Sequence, residues 1–153
     1  MFRPSPVPSI AAIALWVSLT GCAAAQDARK PRQIDVVAKD YTFMPLPAHI
    51  AAGPTLFSFA NQGTVQHELS IGRLKAGVSV DDVVKAIKEG ARPRDLIERS
   101  VGILIAGGGK SPEGRLLVDL IHGSSYIVLC TLRNTPNDPP HAMLGMYTGF
   151  KPE

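Results

Sequence analysis

The sequence predicts an all-β protein in which two sheets pack together and one helix is inserted. Short apolar segments recur along the 153-residue chain and are separated by turn residues, chiefly Gly, Pro and Asn. Their hairpin-length spacing indicates mostly antiparallel pairing, which produces a two-sheet sandwich or barrel. One segment departs from this pattern and has helical spacing. The sequence contains no internal repeat or low-complexity segment.

About seven of these segments are predicted to be strands because they are short, apolar or alternating, and bounded by turn residues. They are Arg32–Lys39 with its continuation Tyr41–Phe43, Thr55–Ala60, His67–Ile71, Val101–Ala106, Arg115–Leu120, Ser125–Leu132 and Gly145–Phe150. The first alternates around Ile34 and Val36. In the third, the period of two places His67, Leu69 and Ile71 on one face, which we expect to point inward.

The helix is predicted over Ser79–Glu89. Ser79 and Asp82 form a capping-box pattern at its start, and Gly90 ends it. The apolar residues between them are at helical spacing, namely Val80, Val83, Val84 and Ile87. We expect this amphipathic helix to cover a sheet edge. The segment Pro93–Arg99 is expected to add a further turn.

The N-terminus predicts export. Arg3 precedes the uncharged apolar run Ile10–Leu19, which is too short for a permanent membrane span and is typical of a signal peptide. The following Leu19-Thr-Gly-Cys22 resembles the bacterial lipobox, in which the cysteine is acylated and becomes the first mature residue. The alternative is ordinary cleavage after Ala25, at an A-x-A site.

The predicted organisation is therefore a lipoprotein signal peptide in residues 1–21, a flexible tether in residues 22–32 and one domain in residues 33–153. A lipid on Cys22 would hold the protein on a membrane through its buried methylenes. Ala23 after the lipidated cysteine is what one expects of lipoproteins sent to an outer membrane. We therefore expect the protein in the periplasm or cell envelope, anchored to the outer membrane.

The charge of the chain argues against a nucleic-acid partner. The formal net charge is +3, and removal of Arg3 with the signal peptide leaves 15 basic and 13 acidic residues, a net charge of +2. No cluster of basic residues of the nucleic-acid-binding kind occurs. We expect a monomer.

A group of soft ligands lies near the C-terminus. Cys130 ends an apolar strand, and His141 and Met146 follow after a proline-containing loop. If Cys22 is acylated, Cys130 has no disulfide partner in the chain, and metal ligation would explain a lone thiol in an exported protein. Thiolate, imidazole and thioether together favour copper, with His67 as the candidate second imidazole.

The segment Tyr41–Phe150 resembles a bacterial cupredoxin, the blue-copper Greek-key β-sandwich. Asn61-x-Gly63-x-x-x-His67 is similar to the turn and strand that carry the first histidine ligand. Ser125-Tyr-Ile-Val-Leu-Cys130 resembles the strand that ends in the ligand cysteine, and His141-x-x-x-Gly145-Met146 resembles the second histidine and axial methionine.

The resemblance implies one type-1 copper ion held by His67, Cys130, His141 and Met146. It also implies a one-electron carrier that exchanges electrons with redox partner proteins and turns over no substrate. The partner surface is expected to be an apolar rim around an exposed edge of His141, including Pro139, Pro140, Ala142 and Leu144.

Several alternatives stay open at this stage. Met143 is a second candidate for the axial ligand. Ten residues separate Cys130 from His141, which is longer than the usual ligand loop of single-domain cupredoxins. Glu68 stands where many blue-copper proteins have asparagine, and we expect it to pair with Arg133 or to lie in solvent. A copper carrier that prefers Cu(I), and a metal-free binding module of the same fold, are the alternative functions.

Overall fold

Residues 30–153 are described by a computed structural model. The predicted signal peptide, the acylation site at Cys22 and residues 22–29 of the predicted tether lie outside the described residues. The first strand begins at Arg32, so the last residue assigned to the tether belongs to the sandwich. No helix in this described part of the chain has the length and apolar character that a membrane span requires.

The strands form two four-stranded sheets. The first sheet has the order β2-β1-β3-β6 and the second has the order β5-β4-β7-β8. The strands are β1 Arg32–Lys39, β2 Thr42–Phe43, β3 Gly53–Asn61, β4 His67–Leu74, β5 Ile97–Ala106, β6 Leu116–Leu120, β7 Tyr126–Leu129 and β8 Tyr147–Phe150. Among these strands the pair β1–β3 is parallel and every other pair is antiparallel, as the turn spacing predicts.

The core lies between the two sheets and follows the period-two pattern of the strands. The inward residues of β1 and β3, such as Val36 and Phe57, meet Leu69 and Ile71 of β4, and all four are buried. Burial of each of these side chains contributes about 1.5–3 kcal/mol through removal of apolar surface from water. His67 shares the inward face of β4 with Leu69 and Ile71, as predicted.

The helix α1, Val80–Lys88, begins at the predicted capping box. The Ser79 hydroxyl accepts a hydrogen bond from the Asp82 amide, and the Asp82 carboxylate accepts one from the Ser79 amide. Val83 and Val84 are buried. Val83 packs on the outer face of the second sheet in a cluster with Leu74, Ile127, Leu129 and Ala142. The helix thus covers the outer face of β7 and the end of β4 rather than a sheet edge, because all four residues of β7 are apolar and buried.

Two short 3-10 helices complete the fold. The expected further turn is confirmed at Pro93–Leu96, where β5 begins one residue later. The second, His141–Leu144, follows the long loop and lies against α1. It ends at Gly145, whose φ of 107° falls in the left-handed region that favours glycine. The described C-terminal strand therefore starts at Tyr147 and not at Gly145.

Candidate metal centre

His67 is the first residue of β4 and points into one end of the sandwich. Its side chain is fully buried. The loop before it is ordered by Asn61, whose side-chain amide donates to the carbonyls of Val65 and Ala106 at 2.8 and 3.0 Å. The Asn61 side-chain oxygen accepts from the Gly63 amide at 2.9 Å. The Asn-x-Gly spacing before His67 thus builds the turn that positions this imidazole.

Cys130 lies directly after β7 and is fully buried. Its sulfur accepts a hydrogen bond from the Glu68 amide at 3.4 Å, so the strand that carries His67 also contacts the thiol. Burial raises the pKa of the Cys130 thiol above its ordinary value, while the amides of Glu68 and Leu132 act in the opposite direction. A free Cys130 therefore stays protonated near neutral pH, and a bound cation would be needed to form the thiolate.

His141 opens the second 3-10 helix and is held by backbone hydrogen bonds on both sides. Its amide donates to the Leu132 carbonyl at 2.8 Å, and the Ala142 amide donates to the Cys130 carbonyl at 2.8 Å. The Met146 amide donates to the His141 carbonyl at 3.0 Å, and the Cys130 amide donates to the Met146 carbonyl at 3.1 Å. These bonds bring the ends of the long loop together, so Cys130, His141 and Met146 are fixed relative to one another by the main chain.

Three donor atoms converge at this end of the sandwich. His67 Nδ1 lies 3.1 Å from His141 Nδ1 and 4.0 Å from Cys130 Sγ. His141 Nδ1 lies 3.4 Å from Cys130 Sγ. Two imidazoles and a thiolate at such separations form a compact trigonal donor set of the kind that suits copper. The structure therefore brings together three of the residues that the sequence nominated, from positions far apart in the chain.

The second nitrogen of each imidazole already has a partner. His67 Nε2 lies 2.6 Å from Asp40 Oδ1, and because a carboxylate only accepts, His67 donates. His141 Nε2 lies 3.0 Å from Asn134 Oδ1, whose amide group donates to the Tyr41 hydroxyl at 2.7 Å. In its neutral form each ring therefore carries its proton on Nε2. Their Nδ1 atoms are left as lone pairs that face each other and the Cys130 sulfur.

Asp40 is held as a carboxylate. Its burial acts to raise the pKa, but hydrogen bonds from the Thr64 hydroxyl, the Thr64 amide, His67 and Val65 outweigh it and hold the pKa well below the usual range. Thr64 donates its amide and hydroxyl to Asp40 Oδ2 at 2.8 and 2.6 Å. A Cβ at Gly63 would collide with this carboxylate, which explains why glycine occupies that position. Asp40 is therefore a fixed acceptor that selects the tautomer of His67.

His141 is electrostatically suited to stay neutral. Its burial lowers the pKa of the imidazole below the ordinary value, and the neighbouring His67 acts in the same direction. A neutral ring is the form that offers a lone pair to a metal.

The expectation for Glu68 is wrong. Glu68 is buried and does not pair with Arg133. Its Oε1 accepts hydrogen bonds from the Thr131 amide at 2.6 Å and the Thr131 hydroxyl at 2.7 Å. Because Thr131 follows Cys130, this carboxylate joins the strand of the first histidine to the cysteine loop. Charge-assisted bonds to two donors stabilise the buried carboxylate without a cation.

The ten-residue loop between Cys130 and His141 folds back over the site. Two hydrogen bonds close its tip. The Thr135 amide donates to Asp138 Oδ2 at 2.9 Å, and the Arg133 guanidinium donates to the Asp138 carbonyl. This places Asn134 over His141. The predicted exposed edge of His141 is therefore wrong: the residue is 1% exposed.

The apolar rim also differs from its prediction. Ala142 is buried against α1 and contributes no surface. Leu144 is exposed as expected, and Met143 beside it is 40% exposed. Met146 is fully buried in the main core with Cys130. Of the two candidate methionines, the structure thus places Met146 in the interior and Met143 on the surface.

Sequence reasoning missed three residues of this site, namely Asp40, Tyr41 and Asn134. Tyr41 packs against both imidazoles, with ring centroids 4.7 Å from His141 and 5.8 Å from His67. Asp40 and Tyr41 follow β1, which pairs with neither β4 nor β7. No motif connects them to the histidines, so only the packing of the two sheets reveals their role.

Comparison with known proteins places the fold. The sequence matches no protein-family model and no curated protein. Among solved structures, it is similar to reduced auracyanin from the photosynthetic bacterium Roseiflexus castenholzii, with 18% identity over 79% of this chain and 96% of that one and a TM-score of 0.54. Auracyanin B is similar at 18% identity, 81% and 91% coverage and a TM-score of 0.55.

Auracyanin A, a "blue" copper protein from the green thermophilic photosynthetic bacterium Chloroflexus aurantiacus, is similar at 17% identity. The match covers 81% of this chain and 100% of auracyanin A, with a TM-score of 0.51. At these identities the likeness concerns the fold. The described part of the chain has the cupredoxin fold, an all-β sandwich with one helix, that the sequence predicts.

Proposed function

We propose that the protein binds one type-1 copper ion and carries single electrons at the cell envelope. His67 Nδ1, Cys130 Sγ and His141 Nδ1 would hold the ion, and the Met146 thioether is proposed as the fourth and weaker ligand. A bound copper ion supplies the chemistry, since it alternates between Cu(I) and Cu(II) in a site of this composition. The protein itself turns over no substrate.

The observation that carries the proposal is that the Nδ1 lone pairs of His67 and His141 face each other beside the Cys130 sulfur in a buried site. Asp40 and Asn134 accept the Nε2 protons, so two Nδ1 lone pairs lie 3.1 Å apart. The Cys130 thiol has one proton and can donate to only one of them. The two nitrogens still face each other with no proton between them, which is unfavourable, and a cation held by both nitrogens and the sulfur would remove the conflict. The donor set is soft enough to select copper.

The axial assignment rests on burial. Met146 lies in the same core cluster as Cys130, and its main chain is bonded to both Cys130 and His141. Met143 is exposed at the surface, as is the neighbouring Leu144. The burial of Met146 beside Cys130 favours it over Met143 as the thioether ligand.

The protein holds its ligands in place during electron transfer. His67 is on a central strand, and Cys130 and His141 are joined by main-chain hydrogen bonds. Glu68 links the two parts through Thr131. Ligands that move little between the two oxidation states keep the cost of electron transfer low, so this rigidity serves a carrier.

Electrons would leave by way of His141 and the loop that covers it. Met143 and Leu144 are exposed beside the site, at 40% and 47%, and form an apolar surface. We propose that redox partner proteins dock on this surface, as an apolar contact of modest area is suited to transient electron transfer. We expect the protein to act as a monomer.

The first 25 residues support export and anchoring. The apolar run and the lipobox-like Leu19–Cys22 favour a protein acylated on Cys22 and held on the outer membrane. Mass spectrometry of the membrane fraction should find a diacylated or triacylated Cys22. A free N-terminus at Gln26 would instead show cleavage after Ala25 and contradict the anchor.

The visible spectrum tests the copper proposal. We would add Cu(II) to the chain beginning at Gln26 and expect an intense thiolate-to-copper band with one copper per protein. Cys130→Ser should abolish the band. Met146→Leu should change its position or intensity, whereas the matched control Met143→Leu should not.

Other outcomes would point to the alternative functions. Binding of one Cu(I) that mild chelators remove, without the band, would support a copper carrier with the same ligands. No binding at micromolar copper would refute both copper functions and leave a metal-free binding module.

A further inference from the structure

A cavity lies at the end of the sandwich opposite the metal centre. It has a volume of about 310 Å³. It is lined by Arg73, Arg99, Val101, Leu117, Val118, Asp119, Ile121 and Tyr126. Arg73 is six positions after His67 in β4, which corresponds to about 20 Å along an extended strand. The cavity is therefore distinct from the copper site and is not used by the proposed electron transfer.

Two arginines lie side by side in this cavity. Arg73 of β4 is directly opposite Arg99 of β5 and opposite Tyr126 of β7, so the three side chains form one row across the sheet. Like charges directly opposite each other in an antiparallel pair are destabilising. An anion between the two guanidinium groups would remove that repulsion.

The local strand geometry creates this pair. Ile71 pairs with Gly102 but Gly72 pairs with Ser100, which leaves Val101 without a partner in β4. At a second irregularity, Arg73 pairs with Arg99 and Leu74 pairs with Ile97. Glu98 therefore also has no partner residue in β4. An uninterrupted register would place Ser100 opposite Arg73. The bulges on both sides of Arg99 thus turn its side chain toward Arg73, a use of bulges that is common next to functional sites.

Arg73 has a buried donor without a hydrogen-bond partner in the described residues. Its side chain is 17% exposed, and one of its terminal nitrogens donates to Glu98 Oε1 at 2.9 Å. Its Nε is buried and has no hydrogen-bond partner within residues 30–153. A buried donor left unsatisfied costs about 1–3 kcal/mol, so a partner at this nitrogen is expected.

The remaining walls define what kind of anion fits. Leu117 and Ile121 are exposed apolar residues at 65% and 47%, and Val101 adds a third apolar residue to the lining. Glu98 partly neutralises Arg73, and Asp119 contributes a second carboxylate to the lining. These two acids disfavour a multiply charged ligand. The walls therefore suit one negative charge attached to an apolar body.

We propose that this cavity binds an organic monoanion with an apolar chain, its carboxylate between Arg73 and Arg99 and its chain against Leu117 and Ile121. The guanidinium groups offer forked donors that match a carboxylate. The site does not depend on copper, and binding should be the same in the copper-free and copper-loaded protein.

Octanoate is a suitable probe, and titration calorimetry with the purified chain measures its affinity. We expect 1:1 binding by octanoate, with acetate and 1-octanol each at least tenfold weaker because each lacks one of the two parts. Arg99→Gln, a substitution at an exposed residue, should weaken octanoate at least tenfold. Arg92→Gln removes the same charge elsewhere on the surface and should leave binding unchanged.

A second measurement keeps the test independent of folding defects. Amide chemical shifts in the wild-type protein should move on β4, β5 and β6 around Arg73, Arg99 and Leu117, and not around Cys130. Equal octanoate affinity of the wild type and Arg99→Gln would overturn the proposal. So would equal binding of 1-octanol, or shifts spread over the whole apolar surface.

Discussion

Replacement of Asp40 by asparagine should invert the hydrogen bonding of His67. Asp40 Oδ2 accepts two hydrogen bonds from Thr64, while Oδ1 accepts from His67 Nε2 at 2.6 Å. Asparagine has one oxygen. If that oxygen keeps the two Thr64 bonds, the amide group faces His67 and can only donate. His67 Nε2 must then accept, and the ring proton moves to Nδ1, the atom proposed to bind copper.

The size of the effect follows from this exchange. Loss of a partner that orients a metal-bound histidine typically weakens metal binding 10–100-fold, which is about 1.4–2.8 kcal/mol. The copper-free protein loses one charge-assisted hydrogen bond, so its free energy of unfolding should fall by about 1.5–3 kcal/mol. The stabilising effect of Asp40 depends on pH. Because folding lowers its pKa from an ordinary value of 3.8, that effect is complete above this value and is lost as the pH falls below it.

Copper affinity is measured by competition with a chelator of known affinity, and the His67 tautomer by ¹⁵N chemical shifts of its ring. Asp95→Asn, a substitution at an exposed carboxylate, is the matched control and should change neither. Wild-type copper affinity in Asp40→Asn, together with an unchanged tautomer of His67, would refute the proposed role of Asp40.

Four further predictions test other parts of the site. Asn134→Ala should uncover His141 and accelerate electron exchange with a small redox partner severalfold, as measured by stopped flow. The visible spectrum of this variant should keep its thiolate-to-copper band. An unchanged rate would show that the loop does not limit access to His141. Gly145→Ala forces a residue with a side chain into the left-handed region and should lower the free energy of unfolding by about 1–2 kcal/mol, measured by urea denaturation. Gly114→Ala is the control, because Gly114 has no positive φ and a Cβ at that position meets only ordinary contacts. Because burial lowers the pKa of His141 in the fold, the copper-free protein should lose stability as the pH falls below about 6.5, and His141→Gln should reduce that dependence. Because burial raises the pKa of the Cys130 thiol, copper binding at pH 7 should release about one proton. Calorimetry in buffers of different ionisation enthalpy measures this release. A release near zero would contradict the assignment of Cys130 as a copper ligand.

The strand and helix predictions succeeded where the local pattern was unambiguous. The first strand, Arg32–Lys39, and the capping box at Ser79 are confirmed at the residue level. The last strand was predicted to begin at Gly145. It starts two residues later because the backbone uses Gly145 to leave a 3-10 helix, and an apolar sequence does not distinguish that turn from the strand it precedes.

The environment of the site was less accessible to sequence reasoning. Glu68 was expected to meet a cation or solvent, as a carboxylate usually does, yet two donors of Thr131 satisfy it in the interior. The same holds for the long loop. Its position over His141 depends on the contact of Asn134 with Tyr41, a residue 93 positions earlier.

The sequence by itself determined the strands, the helix and the types of donor atom. Those follow from periods of two and 3.6 residues and from the chemistry of His, Cys and Met, which are local properties. Tertiary structure alone decided which ring nitrogens face one another, that Asp40 and Asn134 hold the other two, and that His141 is covered. It also decided that Arg73 and Arg99 share a cavity. Such contacts join segments distant in the chain, and they exist only after the two sheets have packed and each bulge has set its register.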